Sequence, residues 1–99
     1  MDSESLEVRH EDAGGRGVFF IEREGQRIAE LAYSRAAERR IIIYHTEVEP
    51  ELRSRGVARR LLDAAVAWAR QTGTMVGATC SYAKAEFERD PSIRDVLAD

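Results

Sequence analysis

The stretch Val48–Gly73, V-E-P-E-L-R-S-R-G-V-A-R-R-L-L-D-A-A-V-A-W-A-R-Q-T-G, decides how the chain is read. It combines the end of a strand, a turn rich in arginine with one glycine, and a long helix. Ala58, Leu61, Leu62, Ala65, Val66 and Ala69 fall on one stripe at helical period, while Arg59, Asp63, Arg70 and Gln71 fall elsewhere, so the spacing predicts an amphipathic helix with one buried face. Gly73 follows the last periodic residue, where a left-handed closing conformation is cheapest without a Cβ. Pro50 stands where the preceding strand has already ended.

The turn between them carries the chemistry. Arg53-Ser54-Arg55-Gly56-Val57-Ala58 sets a glycine and small residues at the first helical turn, directly after a strand. Backbone N–H groups there lack intrahelical partners and can face an anion. The helix dipole adds roughly 0.3 to 1 kcal/mol per favourably placed charge. Gly56 lets a phosphate approach the backbone with no side chain in the way, so a pyrophosphate suits the place. The same residues also suit a helix that simply starts at a glycine among solvated arginines.

As a pattern, R-x-x-G-x-A after a strand ending in valine resembles the acyl-CoA pyrophosphate loop of the GNAT N-acetyltransferases, written Q/R-x-x-G-x-G/A, with Arg53, Gly56 and Ala58 matching. His45-Thr46-Glu47-Val48 before the loop, and Cys80-Ser81-Tyr82 with Phe87 and Asp90-Pro91 after the next strand, look like the minimal, stand-alone branch of GNAT-like proteins of about 100 residues. The resemblance covers about residues 6 to 97. It implies a GNAT-like fold, acetyl-CoA as co-substrate, and transfer of an acetyl group to an amine on a small molecule or peptide.

The resemblance also distributes roles. It implies a cofactor-binding set of Val48, Arg53, Arg55, Gly56, Val57, Ala58 and Arg59, with backbone N–H groups near Arg55 to Arg59 on the pyrophosphate and Arg53 or Arg55 as charge partners. A backbone N–H around Glu47 to Val48 would polarise the thioester carbonyl. His45 and Glu47 share a face if their strand is regular, and either can relay a proton from the amine through water. Each also suits a plain structural role, His45 bonded to a backbone carbonyl and Glu47 as a solvated charge. Many GNAT proteins protonate the departing thiolate with a tyrosine in an arrangement like N-x-x-A-x-x-x-Y. This chain has Cys80, Ala83 and Phe87 at those spacings, and Phe87 has no proton to donate. Cys80 and Tyr82 are the neighbours able to substitute, and Cys80 can also accept the acetyl group itself. The plainer alternative for Cys80 is a small buried hydrophobe.

The rest of the chain frames this unit. Ninety-nine residues, 43% of them hydrophobic, predict one domain over residues 1–99. Residues 6–10 alternate as an opening strand, and the glycines at 14, 15 and 17 mark a turn. Val18-Phe19-Phe20-Ile21 and residues 28–33 form a hairpin about Glu24-Gly25. Residues 35–40 read as a charged loop, and Ile41–Val48 as the central strand. Thr74–Thr79 is a further strand, and strand–helix–strand order implies a right-handed parallel crossover. Ser81 is the expected cap of a short helix from Tyr82 to about Glu88, Pro91 ends it, and residues 92–97 add a last helical turn or two, with Asp99 frayed. The expected architecture is an α/β or α+β mixed sheet: an antiparallel meander leading into one β-α-β unit, the long helix on one face.

Composition excludes several functions. Ile41-Ile42-Ile43-Tyr44, like every other apolar run, falls far short of the ~20 residues of a membrane helix, and Met1–Ser5 are acidic and polar rather than signal-like, so a soluble, cytoplasmic protein is expected. A single cysteine and two scattered histidines predict no structural metal. Net charge −3 argues against nucleic acid, although Arg53, Arg55, Arg59 and Arg60 gather at one turn. Fourteen of the fifteen basic residues are arginine, a bias spread along the chain and given no weight. A non-catalytic acyl-CoA-binding or sensing module is the alternative to an enzyme.

Overall fold

The computed structural model describes residues 6–98. Five strands form one sheet in sequential order: β1 (Arg9–Asp12), β2 (Arg16–Arg23), β3 (Gln26–Ala37), β4 (Arg40–Val48) and β5 (Met75–Ala78). The first four pair antiparallel and β5 joins β4 in parallel. Helix α1 (Val57–Thr72) makes the crossover, and α2 (Ser81–Arg89) follows β5. This is the expected meander and β-α-β unit in a mixed α+β sheet.

Two left-handed glycines bound α1, Gly56 at φ 75° and Gly73 at φ 69°. Its buried stripe is Val57, Leu61, Leu62, Ala65, Val66 and Ala69, with Ala58 only half-buried and Val57 taking the place expected for it. That stripe packs on Phe19, Ile21, Leu31, Tyr33, Ile41 and Ile43, the side chains of one sheet face. At one end of this core His10 stacks on Phe19 at 4.0 Å, meets the edge of Trp68 at 5.0 Å, and lies 2.7 Å from the Tyr33 hydroxyl. Burial lowers the His10 pKa and raises that of Tyr33 to about 12.

Several boundaries differ from expectation. The opening strand is Arg9–Asp12, displaced toward the turn because pairing runs from Asp12 opposite Gly17 back to Arg9 opposite Phe20. Leu6 and Val8 pack on the core without joining the sheet. Gly17 belongs to β2 rather than to the turn, and a Cβ there would stand 2.2 Å from the Tyr33 ring. Residues 35–37 are strand, not loop: Arg35 turns its charge onto the carbonyls of Gly14 at 2.8 Å and Glu38 at 2.9 Å and onto Asp12 at 2.7 Å, so polar residues fit a sheet edge. Glu24 and Gly25, both at positive φ, make the hairpin turn as expected.

At the other end, Ser81 does not cap α2. Cys80 is the capping residue, with extended backbone and no side-chain bond to the helix, and Ser81 begins the helix. Pro91 ends α2 as expected and opens a 3-10 segment, Pro91–Val96, capped by Asp90 through the Ser92 N–H. The placement of Asp99 lies outside the described residues. A second short 3-10 segment, Pro50–Leu52, joins β4 to the arginine turn.

Candidate active site

The parallel pairing of β4 with β5 stops early. It runs from Arg40 opposite Met75 to Ile43 opposite Ala78, and β4 continues five residues further, to Val48, without a neighbour on that side. The N–H groups of Thr79 and Cys80 both close on the Ile43 carbonyl, at 2.9 and 3.2 Å, forming the apex of a V-shaped gap. The Glu49 N–H points the other way, to Ile28 on β3. Because backbone groups alternate along a strand, those of Val48 and Thr46 therefore face the gap. The Val48 carbonyl is occupied there by Arg53 Nε at 3.0 Å, which leaves the Val48 N–H as a donor into the gap.

A β-bulge at the gap fixes which side chains serve it. Ala32 pairs with His45 but Tyr33 pairs with Ile43, so Tyr44 is the extra residue. The bulge moves everything after it to the opposite face from a regular strand. His45 and Glu47 do share a face, as expected, but it is the face away from α1. Thr46, expected as an ordinary sheet residue, instead joins Leu31 on the α1 side, where its hydroxyl lies 3.3 Å from Cys80 Sγ. Thr46 is the residue that sequence reasoning missed, and without the bulge no spacing could have revealed it.

On the open face, His45 Nε2 lies 3.4 Å from both Glu30 and Glu47. The ligand atoms of the three residues all fall within 4.8 Å of one another. Histidines scattered along the chain gave no hint of this grouping, because Glu30 arrives from β3. The arrangement suits proton transfer, with an imidazole between two carboxylates that disperse its charge when it is protonated.

The mouth of the gap is the start of α1. A cleft of about 270 Å³ is lined by Val48, Leu52, Arg53, Ser54, Gly56, Val57, Ala58, Arg59 and Tyr82. The first helical hydrogen bond is that of the Arg60 N–H to the Gly56 carbonyl, at 3.1 Å, so the N–H groups before it have no intrahelical acceptor. A Cβ on Gly56 would meet nothing within 4 Å, which leaves the approach open. These features fit a pyrophosphate. Arg53 and Arg55 are exposed beside it.

Arg59 is employed differently. Its guanidinium binds Asp63 and Glu86, each at 2.8 Å, and Asp90, tying α1 to α2. The bonds to Asp63 and Asp90 raise its pKa further, and the same contact holds the Asp90 carboxyl well below the usual range. Its side chain is committed within the protein, so only its backbone N–H remains for a ligand. Tyr82 lines the cleft, and burial raises its pKa, which keeps the phenol protonated. Phe87, where a tyrosine acid was looked for, is buried in the core.

A strand pair that parts beside a helix N-terminus offers a cleft suited to an anionic ligand, and comparison with known proteins gives the family. Residues 18–96 match the family described as GCN5-related N-acetyl-transferase. The chain belongs to this family. It is an acyl-CoA-dependent N-acetyltransferase. The solution structure of a GCN5-like protein from Staphylococcus aureus is 34% identical, with a TM-score of 0.73 over 94% of this chain and 88% of that one. The ribosomal-protein-S18-alanine N-acetyltransferase from Escherichia coli shares the fold at 16% identity and a TM-score of 0.64, over 79% of this chain and 53% of that one. The aminoglycoside N-acetyltransferase AAC(6')-Iy, solved with CoA, does so at 15% identity and 0.62, over 83% and 88%. No protein of curated function matches the chain in sequence. No helix among the described residues is long and apolar enough to cross a membrane.

Proposed function

We propose that this acetyltransferase takes its acetyl group from acetyl-CoA lying in the gap between β4 and β5 and passes it through Cys80 to an amine arriving on the open face of the sheet. The observation that carries the reading is the position of Cys80 at the apex of a gap whose mouth is the N-terminus of α1. Backbone N–H groups of Gly56, Val57, Ala58 and Arg59 would hold the pyrophosphate, with Arg53 and Arg55 beside it, and the Val48 N–H would polarise the thioester carbonyl. That an aminoglycoside N-acetyltransferase of the same fold was solved with CoA supports CoA as the ligand.

The chemistry balances without a tyrosine acid. Cys80 loses its thiol proton to water and its sulfur attacks the carbonyl carbon. The C–S bond to CoA breaks, and the departing thiolate takes a proton from water. The amine then attacks the acetyl group on Cys80, an N–C bond replaces the S–C bond, and the surplus proton leaves through His45 or Glu47. Glu30 and Glu47 favour an acceptor that approaches as a cation, either a small molecule or a peptide; such an ammonium would first give one proton to water through His45 or Glu47, and the neutral amine would then attack. A cytoplasmic setting suits a reactive unpaired thiol.

Cys80→Ala tests the reading. It should keep CoA affinity within a few-fold and lower turnover by ~10² to 10⁴, the range for a positioned acid, base or nucleophile. Intact-protein mass spectrometry after incubation with acetyl-CoA alone should show one acetyl group on the wild type and none on the variant. Normal turnover in Cys80→Ala would remove the cysteine from the mechanism and turn attention to Tyr82. A fall in turnover with no acetylated wild type would favour direct transfer.

A further inference from the structure

Thr46 stands on β4 three residues beyond Ile43, where the two strands have already parted, yet its side chain reaches back across the gap to Cys80. Thr46 and Cys80 are both part-buried, so the contact is neither an exposed chance encounter nor one dictated by sheet pairing. The backbone of Thr46 is pinned opposite Leu31 in the β3–β4 ladder, and the Cys80 backbone is pinned by its N–H to Ile43. With both ends fixed, a hydroxyl on a β-branched side chain of few rotamers meets a thiol that makes no other side-chain hydrogen bond among the described residues.

From this geometry we infer that Thr46 is a positioning residue for Cys80: its hydroxyl holds the sulfur at the apex of the gap and donates a hydrogen bond to it once the thiol proton has gone. The inference rests on the reading that Cys80 acts on the thioester. A thiol needs no such donor. A thiolate does, because a hydrogen bond to a charged acceptor is roughly twice as strong as one between neutral groups. As the Cys80 sulfur attacks, the donor would also keep it from turning away from a thioester held in the gap. The Tyr44 bulge is what makes this arrangement available, since an unbulged strand would put the residue-46 side chain on the other face of the sheet.

Three variants and two readouts test it. Thr46→Val keeps the shape and removes only the hydroxyl, Thr46→Ser keeps the hydroxyl and loses the methyl, and Cys80→Ala reports on the underlying reading. The first readout is the rate of Cys80 alkylation by iodoacetamide across pH, without CoA. The second is acetyl-CoA turnover, with CoA affinity measured alongside. The expected result is that Thr46→Val slows both by roughly tenfold to a hundredfold, the loss for a hydrogen bond to a charged group. Its alkylation profile should move to higher pH and its CoA affinity stay within a few-fold, while Thr46→Ser remains near wild type. A Thr46→Val protein with the wild-type profile and rate overturns the inference and leaves the Cys80 reading standing if Cys80→Ala is inactive. Equal slowing in Val and Ser variants also overturns it, because packing rather than the hydroxyl would then be responsible. Full turnover by Cys80→Ala overturns both readings together.

Discussion

Gly56 allows the ligand site to be separated from the fold in a single experiment. Its φ of 75° is a left-handed conformation that costs a residue with a Cβ about 1 to 2 kcal/mol, whereas the space beyond is open, with no atom within 4 Å of where a Cβ would stand. Gly56→Ala and Gly56→Glu therefore carry the same backbone strain and no clash. Each should lower the melting temperature of the free protein by a similar amount, about 4 to 8 °C per kcal/mol for a chain of this size. They differ in what CoA then does. At a hundredfold excess over the dissociation constant, a ligand specific to the native state adds about 2.7 kcal/mol, ten degrees or more by the same conversion. Gly56→Glu places a carboxylate where the pyrophosphate would lie, against the unbonded N–H groups of α1, and should abolish the shift at millimolar CoA. Gly56→Ala should retain a measurable part of it. Differential scanning fluorimetry of the three proteins, with and without CoA, reads both effects. A Gly56→Glu protein that melts below wild type yet shows the full CoA shift would refute the assignment of the pyrophosphate to this turn.

Two further outcomes concern stability. Arg59→Met leaves the Glu86 carboxylate, only 4% exposed, with Arg89 as its remaining cation, and should cost about 3 kcal/mol in urea unfolding; a loss below about 1 kcal/mol would mean that the cluster behaves as a surface ion pair. His10 has its pKa lowered by burial, with Asp12 opposing and Arg35 assisting, so the fold prefers the neutral ring. Its contribution is fully present above the unfolded value of about 6.5 and is lost as pH falls through the lower folded value. The melting temperature should thus decline from pH 7 toward pH 5, ahead of the Asp90 carboxylate, whose lowered pKa confines its loss to pH below about 4. Replacing His10 with Gln should flatten the upper limb, and an unchanged slope would exclude it as the titrating group.

The residues that announced themselves in the sequence are those whose role follows from local chain geometry. Gly56 and Gly73 bracket α1 because helix ends need special backbone, and the stripe from Leu61 to Ala69 is buried because 3.6-residue spacing leaves it no other face. The strand bounded by Val48 was legible from its β-branched run. What escaped depends on partners distant in the chain. Arg35 looked like loop because its neighbours are polar, and besides the nearby Glu38 carbonyl its charge is met by Asp12 and Gly14, 23 and 21 residues away. Glu30 could not be associated with His45 before β3 and β4 were in register. The sequence gathers Arg59 with Arg53, Arg55 and Arg60 at one turn without a use for its side chain, and the positions of Glu86 and Asp90 supply one.

The bulge at Tyr44 explains why one short strand can serve both halves of an acetyl transfer. A regular β4 would place Ile41, Ile43, His45 and Glu47 all on the core face beneath α1, burying a histidine and a carboxylate without water. It would also turn residue 46 away from Cys80. One extra residue corrects both faults: Ile41 and Ile43 stay in the core, His45 and Glu47 come out on the open face, and Thr46 turns toward the thiol. The bulge lies immediately beyond the last residue of β4 that pairs with β5, so the strand changes phase where the two strands separate. On the proposed reading, donor side and acceptor side would be opposite faces of the same few residues. The amine and the thioester would meet through the gap itself, on either side of β4.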